Sequence, residues 1–218
     1  MKRFLCAFIA LMLLLALPAL AEEGPNLVVN GDFSEIDALG MPKHWIKSMW
    51  FTDEGISNLY VSEDGYDGNC IVVVNADAND ARFTQTIDVE PNSVYRFSCM
   101  VKADNCGGEG YGATLSFENT FSYSESVLET QGEWRELSVY GRTTDAQTYV
   151  TLMARVGGYS SLNTGRAYFD DIRCVKVDEA DVPEGAQIVS LEILDFSGGG
   201  SEETESESDV PARGNGLE

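Results

Sequence analysis

Short runs of alternating apolar and polar residues, separated by turn residues, limit the fold of this chain more than any other feature. Between Asn26 and Asp178 we count about nine such runs and no apolar stripe with helical spacing. Because successive side chains of a strand point to opposite faces, each run can bury one face. Many short strands with regular turns predict an all-β fold, an antiparallel β-sandwich of the jelly-roll type.

Three of these runs show the alternation over their whole length. The side chains expected to face the core are Phe83, Ile87 and Val89 in residues 82–89, Tyr95, Phe97, Cys99 and Val101 in residues 94–102, and Val150, Leu152, Ala154 and Val156 in residues 149–156. Residues 70–74 are instead continuously apolar, which predicts a central strand covered on both faces. Turn residues divide the runs, among them Glu90-Pro91-Asn92, Gly157-Gly158 and Asn163-Thr164-Gly165.

Two motifs bracket the patterned segment. Asn30-Gly31-Asp32-Phe33-Ser34-Glu35 stands near its start, and Phe169-Asp170-Asp171-Ile172 stands near its end. We interpret them as the first and last strands of one sandwich, in which such strands can be neighbours.

The N-terminus has the layout of a secretory signal peptide over residues 1–21. Lys2 and Arg3 precede an apolar stretch over residues 4–17, and Ala19 and Ala21 have cleavage-site spacing. The apolar stretch is shorter than the roughly 20 residues that span a bilayer. We therefore expect the signal to be removed and the mature protein to be secreted into the extracellular space without a membrane span.

The net charge and the cysteine spacing argue against two classes of ligand, nucleic acid and zinc. The net charge of −22 and the scarcity of Lys and Arg argue against nucleic acid as a partner. Removal of the signal leaves Cys70, Cys99, Cys106 and Cys174, an even number that permits disulfides outside the cell without specifying the pairing. Their spacing and the single histidine, His44, do not match a zinc site.

The sequence changes character after Asp178. Residues 179–196 hold an alternating run, residues 187–196, that can add an edge strand to the domain over residues 22–178. Residues 197–218 are rich in Gly, Ser and Glu and have few apolar side chains. That composition predicts a disordered acidic tail.

The motifs together resemble those of a known family. The opening residues 26–35, with Gly40-Met41-Pro42 and Trp45 after them, look like the start of carbohydrate-binding modules of the cellulase C type, the group that joins families 4, 9 and 22. Residues 94–104, residues 133–137 and the closing Phe169-Asp170-Asp171-Ile172 resemble later strands of the same family. The resemblance covers residues 26–178 and implies a galactose-binding-like jelly roll that binds a polysaccharide or oligosaccharide.

The resemblance also implies a structural calcium ion where the first and last strands meet. It places Glu35 and Asp171 as side-chain ligands, with Asp170 or Asp32 as alternates, and calcium prefers such oxygen ligands. Adjacent strand residues point to opposite faces, which favours Asp171 over Asp170 as the ligand at this joint.

Sugar binding requires aromatic rings that stack on pyranose C–H faces and polar groups that bind hydroxyls. Aromatic residues in loops or at outward strand positions are the candidates, with one guanidinium and one carboxylate as polar partners: Trp50, Tyr111, Tyr123, Tyr149, Tyr159, Arg155 and Glu118. Trp45 and Trp134 lie in motifs that look structural.

No catalytic motif accompanies these candidates. The sequence has no Gly-x-Ser-x-Gly elbow, and His44 lies in a predicted surface loop. We therefore expect a non-enzyme, a free-standing glycan-binding protein that can be an accessory to glycoside hydrolases. A structural or adhesive domain with protein partners at a cell surface is the alternative, and a small glycoside hydrolase or lyase is the third reading.

Overall fold

The computed structural model describes residues 24–108 and 110–195. The predicted signal peptide and the predicted acidic tail lie outside these residues. Within them the chain forms one short 3₁₀ turn, Glu179–Asp181, and ten β-strands. The strands are β1 (Ile46–Met49), β2 (Ser57–Ser62), β3 (Cys70–Asn79), β4 (Ala81–Asp88), β5 (Val94–Asp104), β6 (Ala113–Phe117), β7 (Arg135–Arg142), β8 (Tyr149–Val156), β9 (Asn163–Val177) and β10 (Ile188–Ser190).

The strands form two sheets packed face to face. The smaller sheet has the order β1-β4-β8-β6, and the larger has the order β10-β7-β5-β9-β3-β2. Every pair of neighbouring strands is antiparallel except β10 and β7, which are parallel. The predicted all-β sandwich is confirmed. None of the helices in the described part of the chain is long and apolar enough to cross a membrane.

The core lies between the sheets and follows the predicted alternation. Phe97 of β5, Phe83 of β4 and Leu152 of β8 are completely buried in one apolar cluster. Phe97 also packs edge-on against Phe117 of β6, with ring centroids 4.7 Å apart. Burying one such side chain contributes roughly 1.5–3 kcal/mol, so this cluster supplies most of the force that holds the sheets together.

Strand β3 is buried on both faces over its first half. Ile71, Val72 and Val73 have no exposed surface, although successive residues of a strand point in opposite directions. The strand lies between β2 and β9 in the larger sheet. Its continuous apolar run therefore corresponds to double-sided burial, as predicted.

The opening motif is not the strand that we expected. Residues 30–33 form turns because Asn30 and Phe33 have φ values of 54° and 52°, which interrupt an extended backbone. The segment nevertheless lies beside β9, since the Ile172 amide donates to the Gly31 carbonyl at 2.9 Å. A Cβ at position 31 would lie 2.1 Å from the Ile172 oxygen, so this approach requires glycine.

A predicted turn also proved to be part of a strand. Asn163-Thr164-Gly165 begins β9 instead of separating two strands. The side chain of Asn163 donates to the carbonyls of Cys106 and Gly110, which hold this end of the strand to the facing loop. An irregular register between β3 and β9 near Asn75 and Asn79 accommodates it.

The segment after the 3₁₀ turn is anchored to both sheets. In residues 187–195, the described part of the predicted run 187–196, only Ile188–Ser190 forms a strand, β10, at the edge of the larger sheet. Leu191 follows it and is completely buried against Gly141, where a Cβ would lie 2.6 Å from the leucine. The Gln147 side chain, in the loop before β8, donates to the Leu191 carbonyl at 2.8 Å.

The four described cysteines are buried and unpaired. Burial raises the pKa of the Cys70 and Cys174 thiols to about 12 and that of Cys106 to about 11. Cys174 lies opposite Phe97 in the β5–β9 register, two residues from Cys99. Such diagonal neighbours are about 7–8 Å apart, whereas disulfide Cβ atoms are about 4 Å apart, which explains why this pair is not joined.

Candidate functional site

A cleft of about 530 Å³ lies over the outer face of the smaller sheet. Its floor consists of side chains that point away from the core: Arg82 of β4, Thr114 and Ser116 of β6, and Met153 and Arg155 of β8. The strand register aligns them, since Arg155 lies opposite both Arg82 and Thr114 and Met153 lies opposite Ser116. The alternation that buries the core therefore also produces the floor of the cleft.

Loop segments form the sides of the cleft. Residues 123–127 run along the outer edge of β6, where Tyr123 bridges to Ser116 and Val127 to Ala113. Thr114, Ser116 and Met153 are consequently buried although they point away from the core. The outer face of the smaller sheet therefore forms the bottom of the cleft.

Two aromatic pairs line the cleft. Trp50 and Tyr159 meet edge to face, with ring centroids 6.3 Å apart, and their exposed fractions are 59% and 73%. Tyr111 and Tyr123 have centroids 4.6 Å apart, and their hydroxyls are hydrogen-bonded at 2.9 Å. These pairs present ring surface to solvent at positions that neighbouring rings hold in place.

The C-terminal segment supports the loop at the β6 end of the cleft. The Ser122 hydroxyl donates to the Ser190 carbonyl at 2.5 Å, and the Leu194 amide donates to the Asn119 carbonyl at 2.8 Å. Phe121, between these two contacts, is exposed and lines the cleft. The segment around β10 therefore determines where this part of the wall lies.

Three charged groups occupy one end of the floor. Asp80 forms a 2.7 Å hydrogen bond with Nη1 of Arg82, and its other oxygen lies 3.5 Å from Nε of Arg155. The side chains are 6%, 19% and 12% exposed respectively. Burial lowers the pKa of Arg155, Arg82 adds to this effect, and Asp80 only partly offsets it.

Two buried polar atoms beneath the cleft have no hydrogen-bond partner among the described residues. They are Oδ1 of Asp80, which is within ion-pair distance of Arg155 but not hydrogen-bonded to it, and Oγ of Ser116. Most buried polar atoms in proteins have a partner, and leaving one without costs about 1–3 kcal/mol. Both atoms are completely buried, so they lie below the surface that a ligand in the cleft would contact.

Six of the seven residues predicted for sugar contact line this cleft. They come from loops and strand ends that are distant in sequence: Trp50, Tyr111, Glu118, Tyr123, Arg155 and Tyr159. Tyr149 is exposed at the start of β8 and does not line the cleft. Trp45 is buried against Phe33 with its ring nitrogen donating to the Asn30 carbonyl, and Trp134 lies on the other sheet.

Sequence reasoning missed the other ten residues that line the cleft, among them Asp80, Arg82, Ser116, Phe121 and Met153. The outward phase of Arg82 and Met153 in their alternating runs was a usable signal. Nothing in the sequence indicated that Asp80 would be buried between two arginines.

The acids predicted for calcium do not form a ready ligand set in the described structure. Glu35 is paired with Lys43 at 3.4 Å, and Asp171 is paired with Arg173 at 2.9 Å. Asp170 accepts hydrogen bonds from the amides of Asp67 and Asp171, and Asp32 accepts from Ser34. No group of three or more His, Cys, Asp or Glu residues that could hold a metal occurs in residues 24–108 and 110–195. These acids are engaged with other protein groups in this structure, and calcium remains a prediction of the resemblance.

Comparison with solved structures finds proteins of the same general fold. The enzymatically active domain of tailspike protein 4 of bacteriophage CBA120 has a TM-score of 0.52 and 15% identity over 70% of this chain, which spans only 21% of the tailspike chain. A family 61 carbohydrate-binding module solved with β-1,4-galactotriose has a TM-score of 0.48 and 15% identity, with 71% of this chain and 100% of the module covered. A family 4 module has a TM-score of 0.46 and 24% identity, with 68% and 99% covered.

Modules of families 16 and 22 are also among the similar structures. These similarities concern the fold alone. No family model and no curated protein matches the chain.

Proposed function

We propose that this protein is a non-catalytic glycan-binding domain and that the cleft over the smaller sheet is its binding site. One observation carries the proposal: six of the seven side chains selected from the sequence for sugar contact meet in one cleft. They come from distant parts of the chain, so the sandwich and its loops bring them together.

The cleft supplies both elements of sugar recognition. Trp50 and Tyr159 offer exposed ring faces for stacking on pyranose C–H groups. Arg155 and Arg82 offer N–H donors and Glu118 offers carboxylate acceptors for hydroxyl groups. The volume of about 530 Å³ lies within the range of about 300–1,000 Å³ that is usual for ligand sites.

The arrangement of carboxylates supports binding without hydrolysis. Glu118 lies four residues beyond Thr114, which is opposite Arg155, so it lies about 13 Å along the sheet at roughly 3.3 Å per residue. Asp80, at the Arg155 end, is already ion-paired with two arginines. Glycoside hydrolysis requires two available carboxylates about 5–10 Å apart.

The proposal includes secretion, which the layout of residues 1–21 supports. An extracellular polysaccharide or oligosaccharide would then be the partner. Expression of the full chain with measurement of the protein in the medium and in the cell tests this part separately.

Affinity electrophoresis and a glycan array with the mature chain test the function, once with calcium and once with a chelator. We expect retardation by at least one polysaccharide, lost in Trp50→Ala and Tyr123→Ala. Tyr149→Ala is the matched control, since it removes an exposed tyrosine of the same sheet that lies outside the cleft. Loss of binding on chelation would support the calcium prediction.

Absence of binding to any glycan by the folded protein would refute the proposal and favour a protein-binding role. Release of shorter products from a bound polysaccharide would instead identify a hydrolase or lyase.

A further inference from the structure

Among the described residues, the end of the cleft that contains Arg155 has one more positive than negative charge. Two guanidinium groups, Arg82 and Arg155, share the single carboxylate of Asp80. Both arginines and the aspartate are largely buried, so bulk water screens this charge poorly. The excess is notable in a chain whose net charge is −22.

The hydrogen-bonding capacity of the two arginines is mostly unused. Arg155 donates through Nε to the Gly157 carbonyl, and Arg82 donates through Nη1 to Asp80. Within the described residues, neither terminal nitrogen of Arg155 has a protein acceptor. A guanidinium has five N–H donors, and a carboxylate can accept two of them in parallel.

The second carboxylate of the cleft does not neutralise this end. Glu118 is exposed and lies at the far end of β6, about 13 Å along the sheet from Arg155 at roughly 3.3 Å per residue. The cleft is therefore polarised, with a cationic floor at one end and an anionic rim at the other.

We propose that the glycan recognised by this cleft contains a uronic acid residue whose carboxylate binds Arg155 and Arg82. This inference rests on the proposed glycan-binding function and names the class of sugar. The ligand carboxylate balances the second guanidinium and takes its unused N–H groups.

A neutral sugar satisfies this site less well. Its hydroxyls can accept from Arg155, but they leave one positive charge without a counterion in a poorly solvated place. A hydrogen bond to a charged partner is stronger than one between neutral groups, and one such bond corresponds to about a tenfold gain in affinity.

Calorimetric titration of the mature chain with matched pairs of oligosaccharides tests the inference. Each pair consists of an acidic oligosaccharide and its carboxyl-reduced, neutral counterpart: oligogalacturonate, oligoalginate and glucuronate-substituted xylo-oligosaccharide. We expect at least one acidic member to bind about tenfold more tightly than its neutral counterpart. A sulfated oligosaccharide without uronate is titrated as well, so that its affinity can be compared with those of the uronates.

Variants assign the preference to the cleft. Arg155→Gln should abolish the preference for the acidic member, and Arg155→Lys should retain part of it because the charge remains. Arg142→Gln is the matched control, since it removes one positive charge from an exposed ion pair with Glu179. Thermal unfolding of each variant verifies that it is folded.

The outcomes separate the two proposals. Binding of neutral and acidic members with equal affinity would overturn the uronate inference and leave glycan binding intact. A preference that survives Arg155→Gln, or tighter binding of the sulfated sugar than of every uronate, would overturn it as well. No binding of any oligosaccharide would refute the proposed function itself.

Discussion

The outer faces of the two sheets both carry clustered aromatic residues, but they differ in what those rings contact. Over the smaller sheet, Trp50 and Tyr159 border open space. Over the larger sheet, the Lys102 ammonium lies 4.8 Å from the Trp134 ring centroid and 4.3 Å from that of Tyr168. Under the proposed function, uncovered ring faces distinguish the glycan site from the aromatic cluster of the larger sheet, where a lysine covers the rings.

The largest expected effect on stability comes from a change in the C-terminal segment, which supports one wall of the cleft. Leu191→Ala removes a completely buried side chain behind the loop that carries Phe121, so we expect the free energy of unfolding to fall by about 2–5 kcal/mol. Denaturant unfolding measures it. Ile193→Ala, in the same segment but partly exposed, should cost less than about 1 kcal/mol. Equal losses in both variants would show that the segment has no specific anchor.

Tyr159→Ala should weaken glycan binding by about 2 kcal/mol, or roughly thirtyfold, because it removes an exposed ring face of the cleft. The free energy of unfolding should change by less than about 0.5 kcal/mol. Titration with a glycan that the unmodified protein binds, and a denaturant curve, measure both. An unchanged glycan affinity would contradict the proposed difference between the outer faces of the two sheets.

Trp134→Ala should lower stability and leave glycan affinity nearly unchanged, which is the reverse of the effect of Tyr159→Ala. Trp134 is half-buried and contacts Lys102, Tyr66 and Tyr168, so we expect a loss of about 1–2 kcal/mol of stability. Glycan affinity should stay within about twofold of the original value. Lost binding in this variant would place a sugar site on the larger sheet.

Lys102→Gln should have the smallest effect, a loss of about 0.5–1 kcal/mol in the free energy of unfolding. The change removes the ammonium from the faces of Trp134 and Tyr168 and leaves the cleft untouched. Denaturant unfolding at low and high salt checks it. A new, weak glycan affinity in this variant would show that the lysine alone blocks the second aromatic surface.

The sequence predicted the sandwich because burial imposes a period of two on strands such as β4, β5 and β8. It failed where local backbone geometry overrides that period, as at Asn30 and Phe33, whose positive φ values turn the opening motif. The same applies to Asn163, whose side-chain bonds extend β9 through a segment with turn composition.

The residues of the candidate site were predicted only in part. Chemistry alone selected residues such as Trp50, Tyr159 and Arg155, because stacking and hydroxyl binding need few residue types. The burial of Asp80 between two arginines depends on strand register and on loops that cover the floor, neither of which has a local signature.

The hydrogen bond from Leu194 to Asn119 has a consequence for anything joined to this domain. It holds the main chain at Leu194 beside the loop that lines the rim of the cleft. A peptide inserted directly after Leu194 is therefore tethered beside the proposed binding surface, where a short flexible linker gives an effective concentration in the millimolar range. Such a peptide can compete with, or cooperate with, a glycan at the proposed site.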